Sequence, residues 1–161
     1  MTYLTDMHNH FLWATKRLTV MLNKMPEELS NQKSNLKNRS IREIVLHLVS
    51  IYAYFSSQPD YKIIVEQGQA MNKNDLLSLM NALSKKVFNI LETNPDKTIP
   101  VKTKNGNIKN ISGYSLFHML TDHFAYHRGQ LVTMFKGITG MEAVGTDYAS
   151  FLTEDNPDID L

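Results

Sequence analysis

The amino-acid sequence predicts an all-α fold, an antiparallel four-helix bundle with a small β-hairpin inserted before the last long helix. Three observations predict it. Four long segments carry apolar residues at steps of three and four, capping and turn residues separate them, and one short stretch alternates in polarity around Asn105-Gly106. A chain of 161 residues can bury its own core, so we expect one domain over residues 1–161.

The composition excludes several classes of partner and chemistry. With 17 basic and 16 acidic residues the net charge is +1, which gives no overall attraction to nucleic acid or to an anionic membrane. No cysteine is present, so disulfides, thiolate ligands and an intrinsic thiol nucleophile are excluded. The first residues show no secretory pattern, and no apolar run is long enough to span a membrane. We therefore expect a cytoplasmic protein with neither nucleic acid nor membrane as a partner.

The first helix is predicted over residues 3–25 and should end before Pro26, because proline disfavours helical geometry in the residue that precedes it. Its buried stripe consists of Leu4, Met7, Phe11, Ala14, Leu18, Met21 and Met25. His8 and His10 also lie on this helix, about 200° apart around its axis at about 100° per residue. They cannot chelate one ion together, and at most one of them should face the core.

The second helix is predicted by a Ser-x-x-Glu capping box at residues 40–43. A polar connection over residues 30–39 should precede it, and Pro59 should mark its end. His47 falls between Ile44 and Ile51, inside the apolar band of this helix. The next segment, residues 60–71, is compatible with a helical turn or with an extended strand.

The third helix is predicted over residues 74–92 and is followed by a break at residues 93–96. Two short strands, residues 99–104 and 107–111, should then pair through an Asn-Gly turn. Two strands of this length cannot form the core of a sheet, so we expect an appendage to the bundle.

The fourth helix is predicted over residues 114–136, with Ser112 as its cap and Gly137 and Gly140 at its end. His123 and His127 occupy positions in its stripe where an apolar residue is expected. After this helix in the sequence, part of the C-terminal tail should dock on the bundle, whereas the acidic end of the chain should not be ordered. The apolar candidates for docking are Tyr148, Phe151 and Leu152.

Two inward histidines at i and i+4 favour a metal site, because their rings converge on one point. His47, on a separate helix, is the candidate third ligand, although a single buried histidine is more often satisfied by one hydrogen bond. Phe124 stands where a metalloprotease has its catalytic glutamate, so a protease of that type is excluded. His118 lies about 140° from His123 around the helix and should point elsewhere.

Four segments carry a resemblance to a known family, and they run over nearly the whole chain. Residues 10–18 (HFLWATKRL) are similar to an aromatic, Trp-Ala-Asn and basic-Leu pattern, and residues 41–48 (IREIVLHL) to a ligand-bearing second helix. Residues 122–131 (DHFAYHRGQL) match the most specific motif, Asn-His-x-x-x-His-Arg-Gly-Gln. Residues 145–148 (GTDY), with 151–152 (FL), resemble a C-terminal Thr-Asp-aromatic docking segment. The chain thus resembles the DinB/YfiT-like superfamily of metal-binding four-helix bundles.

The resemblance implies a divalent metal on His47, His123 and His127, with zinc, nickel, iron or manganese as candidates, and a homodimer. The sequence departs from the family pattern at Asp122, where asparagine is common, and at Met119, where relatives often have a fourth histidine. The carboxylate of Asp122 would either tune the basicity of a ligand or point into solvent. Arg128 and Gln130 are candidates to reach substrate, or else to form a salt bridge and a hydrogen bond between helices.

Three imidazoles leave coordination positions open, as in catalytic metal sites. The better-understood members of the superfamily resemble S-transferases or isomerases that use low-molecular-weight thiols. Our first hypothesis is therefore a thiol S-transferase that acts on small electrophiles in detoxification or stress. The alternatives are a hydrolase that activates a metal-bound water and a metal-binding stress protein without turnover.

Overall fold

Four long helices and one β-hairpin dominate the computed structural model, which describes residues 3–33, 38–57, 59–103 and 105–153. In chain order the elements are α1 (Tyr3–Asn23), α2 (Glu27–Ser30), α3 (Ile41–Ser56), α4 (Tyr61–Ala70), α5 (Lys73–Thr93), β1 (Thr98–Lys102), β2 (Ile108–Ser112), α6 (Gly113–Thr139) and α7 (Tyr148–Thr153). The predicted all-α bundle with a hairpin before its last long helix is confirmed. Within these ranges no helix combines the length and apolarity needed to cross a membrane.

The capping residues that predicted the helix starts form the expected hydrogen bonds. Ser40 Oγ accepts from the backbone N–H of Glu43 at 3.1 Å, and Glu43 Oε2 accepts from the Ser40 N–H at 2.7 Å, which completes the capping box of α3. Ser112 caps α6 through its Oγ, which accepts from the backbone N–H of Ser115 at 3.1 Å. That helix ends at Gly140, whose φ of 69° is readily adopted by glycine. Gly137 lies inside the helix, so the prediction that it helps to end α6 was wrong.

The core lies between α1, α3, α5 and α6. Helix α5 packs on both α1 and α3, and α6 contacts all three of the others. The ring of Phe11 on α1 lies 4.0 Å from that of Phe88 on α5 and 4.6 Å from that of Phe124 on α6, centroid to centroid. Three helices therefore meet at one aromatic cluster, beside the histidines of α6. Helix α4 covers the outer side of α3.

The hairpin is antiparallel, with Ile99 paired to Ile111 and Lys102 to Ile108. Its connection is longer than the predicted two-residue Asn-Gly turn. The Thr103 N–H donates to the Asn107 carbonyl at 2.7 Å, and Gly106 takes a φ of 83°, which belongs to a wider turn. Lys104, the last predicted residue of the first strand, lies outside the described residues.

Two short helices complete the connections between the long ones. The ambiguous segment 60–71 forms α4, and residues 27–30, which were not predicted to be helical, form α2. The Glu27 carboxylate on α2 accepts the backbone N–H of Lys73 at 3.0 and 2.9 Å and so holds the start of α5. These short helices depend on contacts with distant residues, and a local sequence pattern contains no information about such contacts.

The prediction that at most one of His8 and His10 faces the core was wrong. Their exposed fractions are only 5% and 8%, because α1 is covered on two sides. His8 Nδ1 lies 2.5 Å from the Glu92 carboxylate on α5. His10 packs at 5.0 Å, centroid to centroid, against Tyr148 of the C-terminal segment.

The predicted docking of the tail is observed over α7. The Tyr148 hydroxyl donates to the Asp6 carboxylate on α1, and the ring of Phe151 lies 5.5 Å from that of Trp13. Leu152, the third apolar candidate, is 63% exposed and takes no part in the docking. The acidic end, residues 154–161, lies outside the described residues.

Candidate metal centre

Three histidines from two neighbouring helices converge on one point. His47 projects from the middle of α3, and His123 and His127 lie one turn apart on the facing side of α6. The ring centroids are 5.1 Å apart for His47 and His123, 4.9 Å for His47 and His127, and 4.6 Å for His123 and His127. One ring nitrogen from each histidine lies within 4.8 Å of the others, so this group can hold a metal ion.

The spacing of the nitrogens suits a divalent ion. His47 Nε2 and His123 Nε2 are 3.2 Å apart. Two nitrogens that each lie about 2.05 Å from a tetrahedral zinc would be about 3.3 Å from each other. The group contains no sulfur and no carboxylate, a donor set that suits zinc, nickel, copper or iron better than calcium or magnesium.

The surroundings favour neutral imidazoles, which is the form that binds metal. Burial, followed by the proximity of His127 and His47, lowers the pKa of His123 to about 4. Burial and the neighbouring His127, with a smaller contribution from Arg39, also hold the pKa of His47 below its usual value. At neutral pH the lone pairs of these two rings are therefore free to coordinate.

Gln130 orients one of the three rings. Its Oε1 lies 2.9 Å from His127 Nδ1, one turn further along α6. An amide oxygen can only accept, so the Nδ1 of a neutral His127 carries the proton and its Nε2 keeps a lone pair. Gln130, one of the two sequence candidates for substrate contact, thus supports a candidate ligand directly.

The other sequence candidates lie elsewhere. Arg128 Nη1 donates to the carbonyl of Thr146 at 2.5 Å and holds the C-terminal segment against α6. The side chain of Asp122 is exposed. His118 lies between Tyr3 and Tyr114, at 5.8 and 4.6 Å between ring centroids, and so points away from the three histidines as predicted.

Of the three histidines, His47 also lines a cleft of about 360 Å³ between α3 and α4. The cleft is lined by Arg39, Glu43, Leu46, His47, Ser50 and Val65. Arg39 was not among the predicted site residues, because it lies in a connection whose composition predicts only a polar linker. A partial signal was available, because positions 43, 47 and 50 share one face of α3 and Arg39 directly precedes its N-cap.

A bundle whose facing helices direct three imidazoles to one point has the architecture of helical proteins that can build a metal site between their helices. The sequence profile of the DinB family matches residues 1–158, so this chain belongs to the DinB family. That match confirms the resemblance to the DinB/YfiT-like superfamily. Searches among curated proteins and among solved structures returned no match.

Proposed function

We propose that His47, His123 and His127 bind a divalent metal ion, and that the protein is a metal-dependent transferase that joins a low-molecular-weight thiol to a small electrophile. The observation that carries the proposal is the convergence of three ring nitrogens within 4.8 Å of one another. The open cleft beside His47 supports it, because a site for chemistry must admit a second molecule.

The residues of the chain prepare the site in two ways. The lowered pKa values of His47 and His123 keep both rings neutral, and Gln130 orients the ring of His127. When bound, a divalent ion supplies Lewis acidity, which lowers the pKa of a thiol or a water that coordinates it. The chain contains no cysteine, so the thiol comes from a second substrate. In the transfer the thiol loses its proton to solvent, an S–C bond forms, and the leaving group departs with the electron pair of the bond that breaks.

The ligand assignment is tested by metal content. His127→Ala should lose the metal, whereas His118→Ala, which removes a histidine of α6 outside the group, should retain the wild-type amount. Elemental analysis of the purified proteins gives the stoichiometry. A full equivalent of metal in His127→Ala would overturn the three-histidine assignment.

The reaction is tested with an electrophile that reports on S–C bond formation. Metal-loaded protein should conjugate monochlorobimane to bacillithiol, glutathione or coenzyme A faster than the uncatalysed rate, and a chelator should abolish the increase. If no thiol supports turnover while an ester or amide is cleaved, the protein is a hydrolase. If neither reaction occurs while metal is retained, the ion has a structural role.

A further inference from the structure

The cleft beside His47 contains a cation as well as a candidate metal ligand. Arg39 and His47 both line this cleft, Arg39 just before Ser40, the N-cap of α3, and His47 within the helix. The six residues from Ile41 to His47 correspond to a helical rise of about 9 Å. Leu46 and Val65 add apolar surface to the same lining. The cleft therefore combines a cation, a candidate metal ligand and an apolar wall.

The charge of Arg39 is available to a ligand. Among the described residues no carboxylate pairs with it. The acidic side chain in the same cleft, Glu43, is committed to the capping box through the Ser40 N–H at 2.7 Å. The capping box also holds the backbone next to Arg39, since Ser40 is the N-cap of α3.

We infer that Arg39 determines specificity by binding a carboxylate of the thiol substrate whose sulfur reaches the metal site at His47. This inference rests on the proposed function and names the chemical class of its thiol: an acidic molecule with an aliphatic spacer between carboxylate and sulfur. Guanidinium binds carboxylate in a planar, two-point geometry that the ammonium of lysine lacks. A neutral or cationic thiol gains no binding energy from Arg39.

Metal-free protein tests the anion site by itself. Mercaptohexanoate should shift the backbone amide resonances of Ser40, Glu43 and His47 in a saturable way, and mercaptohexanol should not. Arg39→Gln should weaken the binding about tenfold or more, Arg39→Lys less, and Glu43→Gln should strengthen it by removing a like charge. Lys85→Gln, on the exposed face of α5, controls for the change in net charge. The inference is wrong if wild type shows no saturable shift or if Arg39→Gln binds as wild type does.

Cobalt-loaded protein separates this inference from the proposed function. Thiolate coordination produces a charge-transfer band, and its titration should give about tenfold tighter binding of mercaptohexanoate than of mercaptohexanol, a ratio that falls toward one in Arg39→Gln. If both thiols coordinate equally well in wild type, Arg39 has no such role while the metal site stands. If cobalt is not retained while the amide shifts persist, the anion site stands and the proposed function fails.

Discussion

Gln130 Oε1 and His127 Nδ1 are 2.9 Å apart, one helical turn from each other on α6. The contact links the first and last residues of the His-Arg-Gly-Gln motif. The two residues between them are not part of the three-histidine group. A partner of this kind sets the tautomer and orientation of a ligand ring and raises its basicity. Its removal should weaken metal binding without removing a ligand.

Gln130→Ala should therefore lower the affinity for zinc by about 10- to 100-fold. Competition with a chromophoric chelator measures the affinity. Gln67→Ala, on the exposed surface of α4, should bind zinc as wild type does. Equal affinities of Gln130→Ala and wild type would mean that the contact does not support a ligand.

Removal of the metal should lower the melting temperature. A ligand that binds only the folded state stabilises it by about 2.7 kcal/mol at a free concentration about 100 times Kd, which is about 5–10 °C for a chain of this size. Calorimetry with and without a chelator measures the shift. His127→Ala should melt at the same temperature under both conditions, and a chelator-dependent shift in that variant would point to ions bound elsewhere.

Local patterns in the sequence were sufficient to predict the long helices and the histidine group. Ser40 and Glu43 are three residues apart and form their capping box without help from distant residues. His123 and His127 share a face because four residues make about one helical turn. His47 lies in the apolar band of its own helix, so the packing of α3 on α6 brings it to the pair.

The features that sequence reasoning missed depend on contacts between distant segments. Both His8 and His10 are buried because α5 covers one side of α1 and the C-terminal segment another. The role of Arg128 follows from the path of the chain past Thr146, eighteen residues later. Arg39 lines a cleft that exists only because α4 packs on α3. Periodicity within one segment contains none of this information.

The metal-free protein should lose stability as the pH falls from about 6.5 toward 4. His123 has a pKa of about 4 in the folded state, below its ordinary value of 6.5, so the unfolded chain takes up this proton first. The stabilising contribution is present above pH 6.5 and is lost on acidification. The lowered pKa values of His47 and His10 act in the same direction. Denaturant titrations of His123→Gln should show a shallower decline over this range, and an unchanged slope would contradict the assignment.

Arg128→Gln should release the C-terminal segment and leave the metal bound. The substitution removes the guanidinium that donates to the Thr146 carbonyl, whereas the three histidines keep their positions on α3 and α6. Hydrogen exchange should show faster exchange of the Phe151 amide in α7, which donates to the carbonyl of Asp147 just before this helix. Lys85→Gln, at an exposed residue of α5, should not change this amide. Loss of metal from Arg128→Gln would assign this arginine to the metal site instead.

Glu27 on α2 links three elements at one corner of the bundle. Both of its carboxylate oxygens accept the Lys73 N–H at the start of α5, and Arg42 of α3 lies 3.7 Å away. The first N–H groups of a helix have no partner within it. Asn72, the N-cap of α5, accepts the Asp75 N–H at 2.9 Å, and the Glu27 carboxylate adds a second acceptor for the Lys73 N–H. Glu27→Ala should lower the free energy of unfolding by about 1 kcal/mol. Glu28→Ala, at the exposed neighbour, should change it by less than about 0.5 kcal/mol. Denaturant unfolding of the two variants measures the difference, and equal effects would show that the carboxylate of Glu27 has no capping role.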